Sequence, residues 1–340
     1  MLDTSPHRID VHHHFCPPEY HAAVSRHQPI VPILAGWSLQ KSLDDMAAAG
    51  VATAILSITT PGFWWGDAAE TRSLVRLCND HGARLVADRP SKFGLFAALP
   101  LPDIDSSLKE IEYALDTLKA DGIGLYTDYD MKYLGDPAFA PVLDELNRRK
   151  CVVYTHPVCP DCCKNLVPGI PEAAIEYGTD TTRTIASLVF SGAAARYGDI
   201  EFIFSHAGGT MPFLIERFDR LALHPVSRVN MPHGVRHALA QFHYDTAQVA
   251  NPSTLGCLLQ IVAVSQVLYG TDFPFRTSIE HVEGLAKCGF SPAELGAIER
   301  GNALELLPRF RARGCAARDS APCRAPERPA TGRRPPLPGG

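Results

Sequence analysis

The sequence has no run of about 18 apolar residues, so no segment is long enough to cross a membrane as a helix. Its N-terminus is polar and becomes β-favouring by Ile9, which is not how a signal peptide reads. Positive charge is not in excess: 32 Lys and Arg stand against 37 Asp and Glu, a net charge of −5, so nucleic acid is not an expected partner. The first β-type run is followed by Cys16-Pro17-Pro18 rather than a glycine-rich phosphate loop, which argues against a doubly wound nucleotide fold. Ten cysteines are present, but a long chain without a secretory segment points to reduced thiols and a cytoplasmic protein. Cys78, Cys151, Cys257 and Cys288 read as small core residues. Cys159, Cys162 and Cys163 form a C-x-x-C-C, yet the second pair a zinc site needs is missing, so the run reads as structural.

Residues 311–340 differ from the rest. They hold six prolines and seven arginines against two acids, with Leu337 as the only large aliphatic. Such a segment cannot bury enough apolar surface to offset its ordering entropy, and a disordered basic tail is expected. With +5 in the tail and −5 overall, residues 1–310 carry about −10.

The body, residues 1–310, contains eight short β-rich runs: Ile9–His14, Ala52–Ile58, Phe93–Leu99, Gly122–Tyr126, Cys151–His156, Glu201–His206, Phe242–Asp245 and Val267–Asp272. Between them lie residues at helical apolar spacing, among them Leu39, Leu43 and Met46; Leu74 and Leu77; Leu108, Ile111, Leu115 and Leu118; and Phe213, Ile215, Phe218 and Leu221. Gly50 and Gly82 read as stops for the first two helices. Strand–helix alternation implies a parallel sheet, and eight strands in this length fit an α/β fold of the (β/α)8 TIM-barrel type.

In such a barrel, functional groups gather at the C-terminal ends of the strands. His12 and His14 end the first run and, at spacing i, i+2, share one face of a strand while His13 takes the other. His156 ends the fifth run, His206 the sixth and Asp272 the eighth. Imidazoles and a carboxylate at one rim are enough to fix a divalent ion and leave room for water or substrate. Other histidines lack this placement: His81, His224, His233 and His237 read as helix or loop residues facing solvent, and His243 lies within a strand, off its end.

The set of motifs resembles the amidohydrolase superfamily, in the branch of the aminocarboxymuconate-semialdehyde, γ-resorcylate and 6-methylsalicylate decarboxylases. The resemblance runs from His12-x-His14 through Trp37, Leu43–Val51, Thr155-His156-Pro157 and Ser205–Gly209 to Gly270–Pro274 and Gly301-Asn302-Ala303. It implies one divalent metal, zinc or manganese, held by His12, His14, His156 and Asp272. His206 would act beside it, and Arg217 would reach the neighbouring site of a homodimer. Asp272, protonated on substrate binding, would deliver a proton to the ring carbon that bears the carboxylate, steered by His206.

Departures from the family pattern narrow the substrate. Strand four ends Leu125-Tyr126-Thr127-Asp128, with no lysine of the kind that bridges two metals. The apolar run Ile30–Ala35 replaces a carboxylate-binding arginine, so a less anionic substrate is expected. Phe15, Trp37, Phe63, Trp64, Trp65 and Phe275 supply material for an aromatic slot, with Trp37 and Phe275 as substrate contacts. The expected reaction is non-oxidative decarboxylation of a small aromatic acid, with 6-methylsalicylate going to 3-methylphenol and CO2. A metal-dependent hydrolase of a lactone, ester or amide is the rival, and a binding protein with a vestigial site stands third.

Overall fold

The computed structural model describes residues 3–311. Eight strands pair in parallel and in chain order: β1 (Arg8–His14), β2 (Val51–Ser57), β3 (Phe93–Ala98), β4 (Gly122–Tyr126), β5 (Val152–His156), β6 (Glu201–Phe204), β7 (His243–Asp245) and β8 (Val267–Leu268). The sheet closes on itself. His13 bridges in parallel to Phe273, and N–H groups of Val11, Asp272 and His14 donate to the carbonyls of Tyr269 (3.0 Å), His12 (2.9 Å) and Phe273 (2.8 Å). With helices in the crossovers, this is the expected (β/α)8 barrel. The tail predicted for 311–340 lies outside the described residues apart from Arg311. No helix among the described residues is long and apolar enough to cross a membrane.

Predicted and observed strands differ mainly at the last one. Regular β8 pairing stops at Leu268, and the rest of the run, Tyr269–Asp272, bonds irregularly to β1. Asp272 is left-handed at φ 62°, which a regular strand cannot contain. His206 and Ala207, both at φ 55°, likewise end β6 two residues early.

The barrel interior holds Ile9, Val11, Ile55, Phe96, Tyr154, Ile203 and Leu268 in one apolar cluster. Strict alternation would then turn His12 and His14 outward, because Ile9 and Val11 already use the interior face. A bulge prevents this: β1 advances from Asp10 to His13 while β2 advances only from Ala54 to Leu56. The extra residue re-aims the strand, so both histidines face inward at its end.

The helices correct three sequence expectations. The helix Ala68–Asp88 starts at Asp67, whose carboxylate accepts the N–H groups of Ala69 (2.8 Å) and Glu70 (3.1 Å), and it runs straight through Gly82. Gly82 is there for contact, since a Cβ would come within 2.7 Å of Leu95 and 3.1 Å of Phe15. Leu77 faces solvent on that helix, and Leu74, Val75 and Cys78 form its buried stripe. On the helix Ile215–Ala222 only Phe218 is buried, while Phe213 before it and Leu221 are 84% and 50% exposed. Of the cysteines read as core, Cys78 and Cys151 are buried, Cys288 is half-buried and Cys257 is exposed.

Candidate active site

The ends of β1, β5, β6 and β8 bring His12, His14, His156, His206 and Asp272 into one buried cluster. The Nε2 atoms of His12 and His14 approach to 2.9 Å, and Asp272 Oδ1 lies 3.2 and 3.1 Å from them. The His156 ring centroid is 5.2 Å from that of His12 and 4.7 Å from that of His14. His206 Nε2 faces the other carboxylate oxygen, Asp272 Oδ2, at 3.5 Å. One ligand atom each of His12, His156, His206 and Asp272 falls within a sphere of mutual distances under 4.8 Å.

The outer ring nitrogens show what this cluster is suited to hold. His12 Nδ1 meets Asp245 Oδ2 at 2.7 Å, His14 Nδ1 meets Ser57 Oγ at 3.1 Å, and His156 Nδ1 meets the Pro157 carbonyl at 2.9 Å. With each Nδ1–H spent on an acceptor, the Nε2 lone pairs are left pointing inward, as they must for a metal ligand. Asp272 Oδ1 and His206 Nε2 are buried without a hydrogen-bond partner. Bare nitrogens converging on a carboxylate oxygen fit a divalent cation.

The titratable groups of the cluster perturb one another strongly. Burial opposes the His12 imidazolium, but Asp245 and Asp272 outweigh it and push its pKa up to about 10, so a cation arriving at Nε2 must displace a proton there. Burial, assisted by neighbouring His12, brings His14 down to about 4, and burial, assisted by His14 and then His12, brings His156 well below the ordinary range. Against its own burial, Asp272 is held well below the usual carboxylate range, chiefly by His12.

Two groups behind the cluster were not singled out from sequence. Asp245, fully buried at the end of β7, accepts His12 Nδ1–H through Oδ2 and the N–H groups of His206 (2.9 Å) and Ala247 (3.0 Å) through Oδ1. An acid closing an apolar strand was the available signal, the same one that marked Asp272. Gln248, three residues on, donates its amide N–H to Asp272 Oδ2 at 2.8 Å. Close approach at this level also needs Gly270, where a Cβ would lie 2.9 Å from both His12 and Asp245. We expect Asp245→Asn to weaken metal binding about 10–100-fold, because the carboxylate orients His12 and raises its basicity; metal retention under chelator titration checks this.

His13 points out of the barrel, as its register requires. It is stacked on Phe273 (4.5 Å) and joined to Asp10 and Ser42, each at 3.0 Å. Trp37 belongs to the same outer layer: its Nε1–H donates to Ser42 Oγ at 3.0 Å, and its ring packs on Phe15. Phe275, half-buried, stands edge-on to His14 with centroids 6.1 Å apart. Arg217 is exposed on its helix, with no ion pair among the described residues. His243 pairs with Glu201 at 3.2 Å, away from the cluster.

Beside the cluster lies a cavity of about 410 Å3. Phe63, Trp64 and Trp65 line it as expected of the slot, joined by Tyr126 and Tyr129 in place of Phe15, Trp37 and Phe275. Tyr126 pairs in register with His156, and Val158, also in the wall, follows two residues after His156. Asp128 in the wall is pushed up to about 6 by burial and by neighbouring Asp180. Cys162 and Cys163, adjacent in the turn Asp161–Cys163, have their Sγ atoms 3.0 Å apart.

A closed barrel with histidines and an aspartate converging at its C-terminal rim is an enzyme scaffold with a buried group that could hold a metal. The family model for amidohydrolases matches residues 9–309, and the chain belongs to that family. Among curated relatives, it is 38% identical over 323 residues to "Decarboxylase macB" of Penicillium terrestre, covering 89% of this chain and 96% of that protein. It is 36% identical over 314 residues to the 6-methylsalicylic acid decarboxylase of Penicillium expansum, covering 89% and 97%. In fold it is similar to a dihydroxybenzoic acid decarboxylase from Polaromonas solved with bound manganese and an inhibitor, 2-nitroresorcinol, with a TM-score of 0.79 and 20% identity over 92% and 99% of the two chains.

Proposed function

We propose that this chain is a metal-dependent, non-oxidative decarboxylase of an ortho-hydroxybenzoate, with 6-methylsalicylate converted to 3-methylphenol and CO2. The observation that carries the reading is the buried, unpartnered Asp272 Oδ1 facing the His12 and His14 nitrogens, with the unpartnered His206 Nε2 beside it, next to an aromatic-walled cavity. The relatives named for this chemistry support the substrate. His12, His14, His156 and Asp272 would hold one divalent ion, manganese or zinc, which N3O ligation accepts. When bound, it supplies positive charge that fixes the substrate's carboxylate and phenol oxygens and offsets charge developing on the ring.

The protein's own groups do the rest. Asp272 Oδ2, on the side of the carboxylate facing His206, takes up a proton only once substrate is bound, since the free site favours the carboxylate, and delivers it to the ring carbon bearing the substrate's carboxylate. The C–C bond then breaks, its electron pair restores the aromatic ring, and CO2 departs. His206 steers Asp272 and the substrate carboxylate by hydrogen bonding. Phe275 beside His14 and the Phe63-Trp64-Trp65 wall flank the ring, and Trp37 braces that side from behind. Incubation of metal-loaded protein with 6-methylsalicylate should yield equimolar CO2 and 3-methylphenol. Acid release from aryl lactones with no CO2 from any hydroxybenzoate would move the assignment to a hydrolase.

The same reading includes a homodimer in the cytoplasm. Phe213, Leu221, Leu223, Val226 and Val229 are 50–84% exposed on the consecutive short helices that carry Arg217. Large apolar side chains left exposed on neighbouring segments of this kind are characteristic of an interface, and a second copy would cover them. Phe213→Asp combined with Val229→Asp should convert a dimer to a monomer in analytical ultracentrifugation. Arg217→Ala should lower kcat/KM about tenfold or more if the guanidinium meets the substrate carboxylate across that interface.

A further inference from the structure

We propose that Gln248 is a positioning residue for Asp272: its side-chain amide, anchored through His281, fixes which carboxylate oxygen faces the imidazoles and which faces His206. The proposal deepens the decarboxylase reading and rests on it for its kinetic arm.

Three observations meet at this residue. Gln248 lies in the loop after β7 with φ 62°, a left-handed backbone that disfavours a long side chain. Its backbone N–H donates to His281 Nε2 at 3.0 Å, and its side-chain N–H donates to Asp272 Oδ2 at 2.8 Å. His281 is 2% exposed, and its Nδ1–H donates to the Thr277 carbonyl at 3.0 Å. That bond leaves Nε2 as an acceptor, the role Gln248 requires. The strap therefore runs from the helix Ser278–Leu285 through the loop to the carboxylate.

Packing does not explain why the side chain lies where it does, since Gln248 is exposed at the barrel mouth. What it gains is the contact with Asp272. A carboxylate free to turn about its Cβ–Cγ bond exchanges its two oxygens. Here Oδ1 sits 3.2 and 3.1 Å from the His12 and His14 nitrogens, while Oδ2 is held by the amide under His206. A group that must reach one ring carbon depends on this: displacement by about 1 Å can lower a rate by about 10²-fold. The unexpected placement of a non-glycine residue in a left-handed loop beside the site is the pattern of strain retained for function.

The test compares wild type with Gln248→Gly, Gln248→Leu and His281→Phe, each loaded with Mn2+. Gln248→Gly removes the amide and relieves the left-handed backbone at once. It should melt at or above the wild-type temperature, yet lose about 10–100-fold in kcat with KM within about twofold. Gln248→Leu should lose kcat alike, and His281→Phe should lose less. The Mn2+ electron paramagnetic resonance spectrum should change in both Gln248 variants, reporting the altered carboxylate. Near-wild-type kcat in the Gly and Leu variants, or a loss that merely follows a lowered melting temperature, overturns the proposal. Should wild type release no CO2, the decarboxylase reading fails by itself. The resonance spectra then decide the positioning role, and unchanged spectra reject it.

Discussion

Asp272→Asn is expected to abolish CO2 release, with kcat reduced by at least about 10²–10⁴-fold, even in preparations that keep their metal. An amide preserves size and can still offer one oxygen to an ion, but it has no acidic proton to give the ring. In D2O the intact enzyme should place one deuterium at the carbon that carried the carboxylate, and should slow if proton transfer limits turnover. His206→Ala should keep the metal, held by His12, His14, His156 and Asp272, and lose rate; loss of the metal would instead put His206 in the ligand set, as the grouping of His12, His156, His206 and Asp272 within 4.8 Å allows. Near-normal turnover by a fully metal-loaded Asn variant would transfer the acid role to His206 or to a water.

The second large effect concerns the histidines of β1 and β5. His12→Ala, His14→Ala and His156→Ala should each lose bound metal and activity together, measured by elemental analysis and CO2 release. His13→Ala should retain metal, because that side chain leaves the barrel toward Asp10 and Ser42. It should not be silent. Both of its ring nitrogens are engaged in a fully buried layer, so the truncation leaves polar groups short of partners, at a cost of about 1–3 kcal/mol in stability. Metal loss from the His13 variant as complete as from the His12 variant would mean that the β1 register is different.

The barrel and the rim were legible because both depend on residue order. Eight β-type runs with helical spacing between them leave few topologies, and a polar residue closing each of several apolar runs lands on one face of any parallel barrel. What sequence did not carry was backbone detail. The bulge between Asp10 and His13 has no residue signature, yet without it His12 and His14 would turn away from the interior. Gly82 has the sequence appearance of a helix stop and is a contact point, because its meaning depends on Leu95 and Phe15 arriving from elsewhere. Gln248 could not be found from spacing, since its reach to Asp272 depends on a left-handed turn that glutamine seldom adopts. The apolar positions Phe213 and Leu221 read as core by periodicity, but their surface stays uncovered in a single copy.

The seam between β1 and the final strand has a consequence for how the protein is born. Two of the proposed ligands, His12 and His14, are made together, and the fourth follows more than 250 positions later, pinned to β1 by the Asp272-to-His12 backbone bond. A nascent chain thus carries the His12–His14 pair through more than 250 further residues of synthesis without the carboxylate that completes the proposed set. On the proposed ligand set, tight capture of an ion waits until the last strand docks, so that loading would report a finished barrel, and chains ending short of residue 272 should bind the ion weakly in a metal-retention assay.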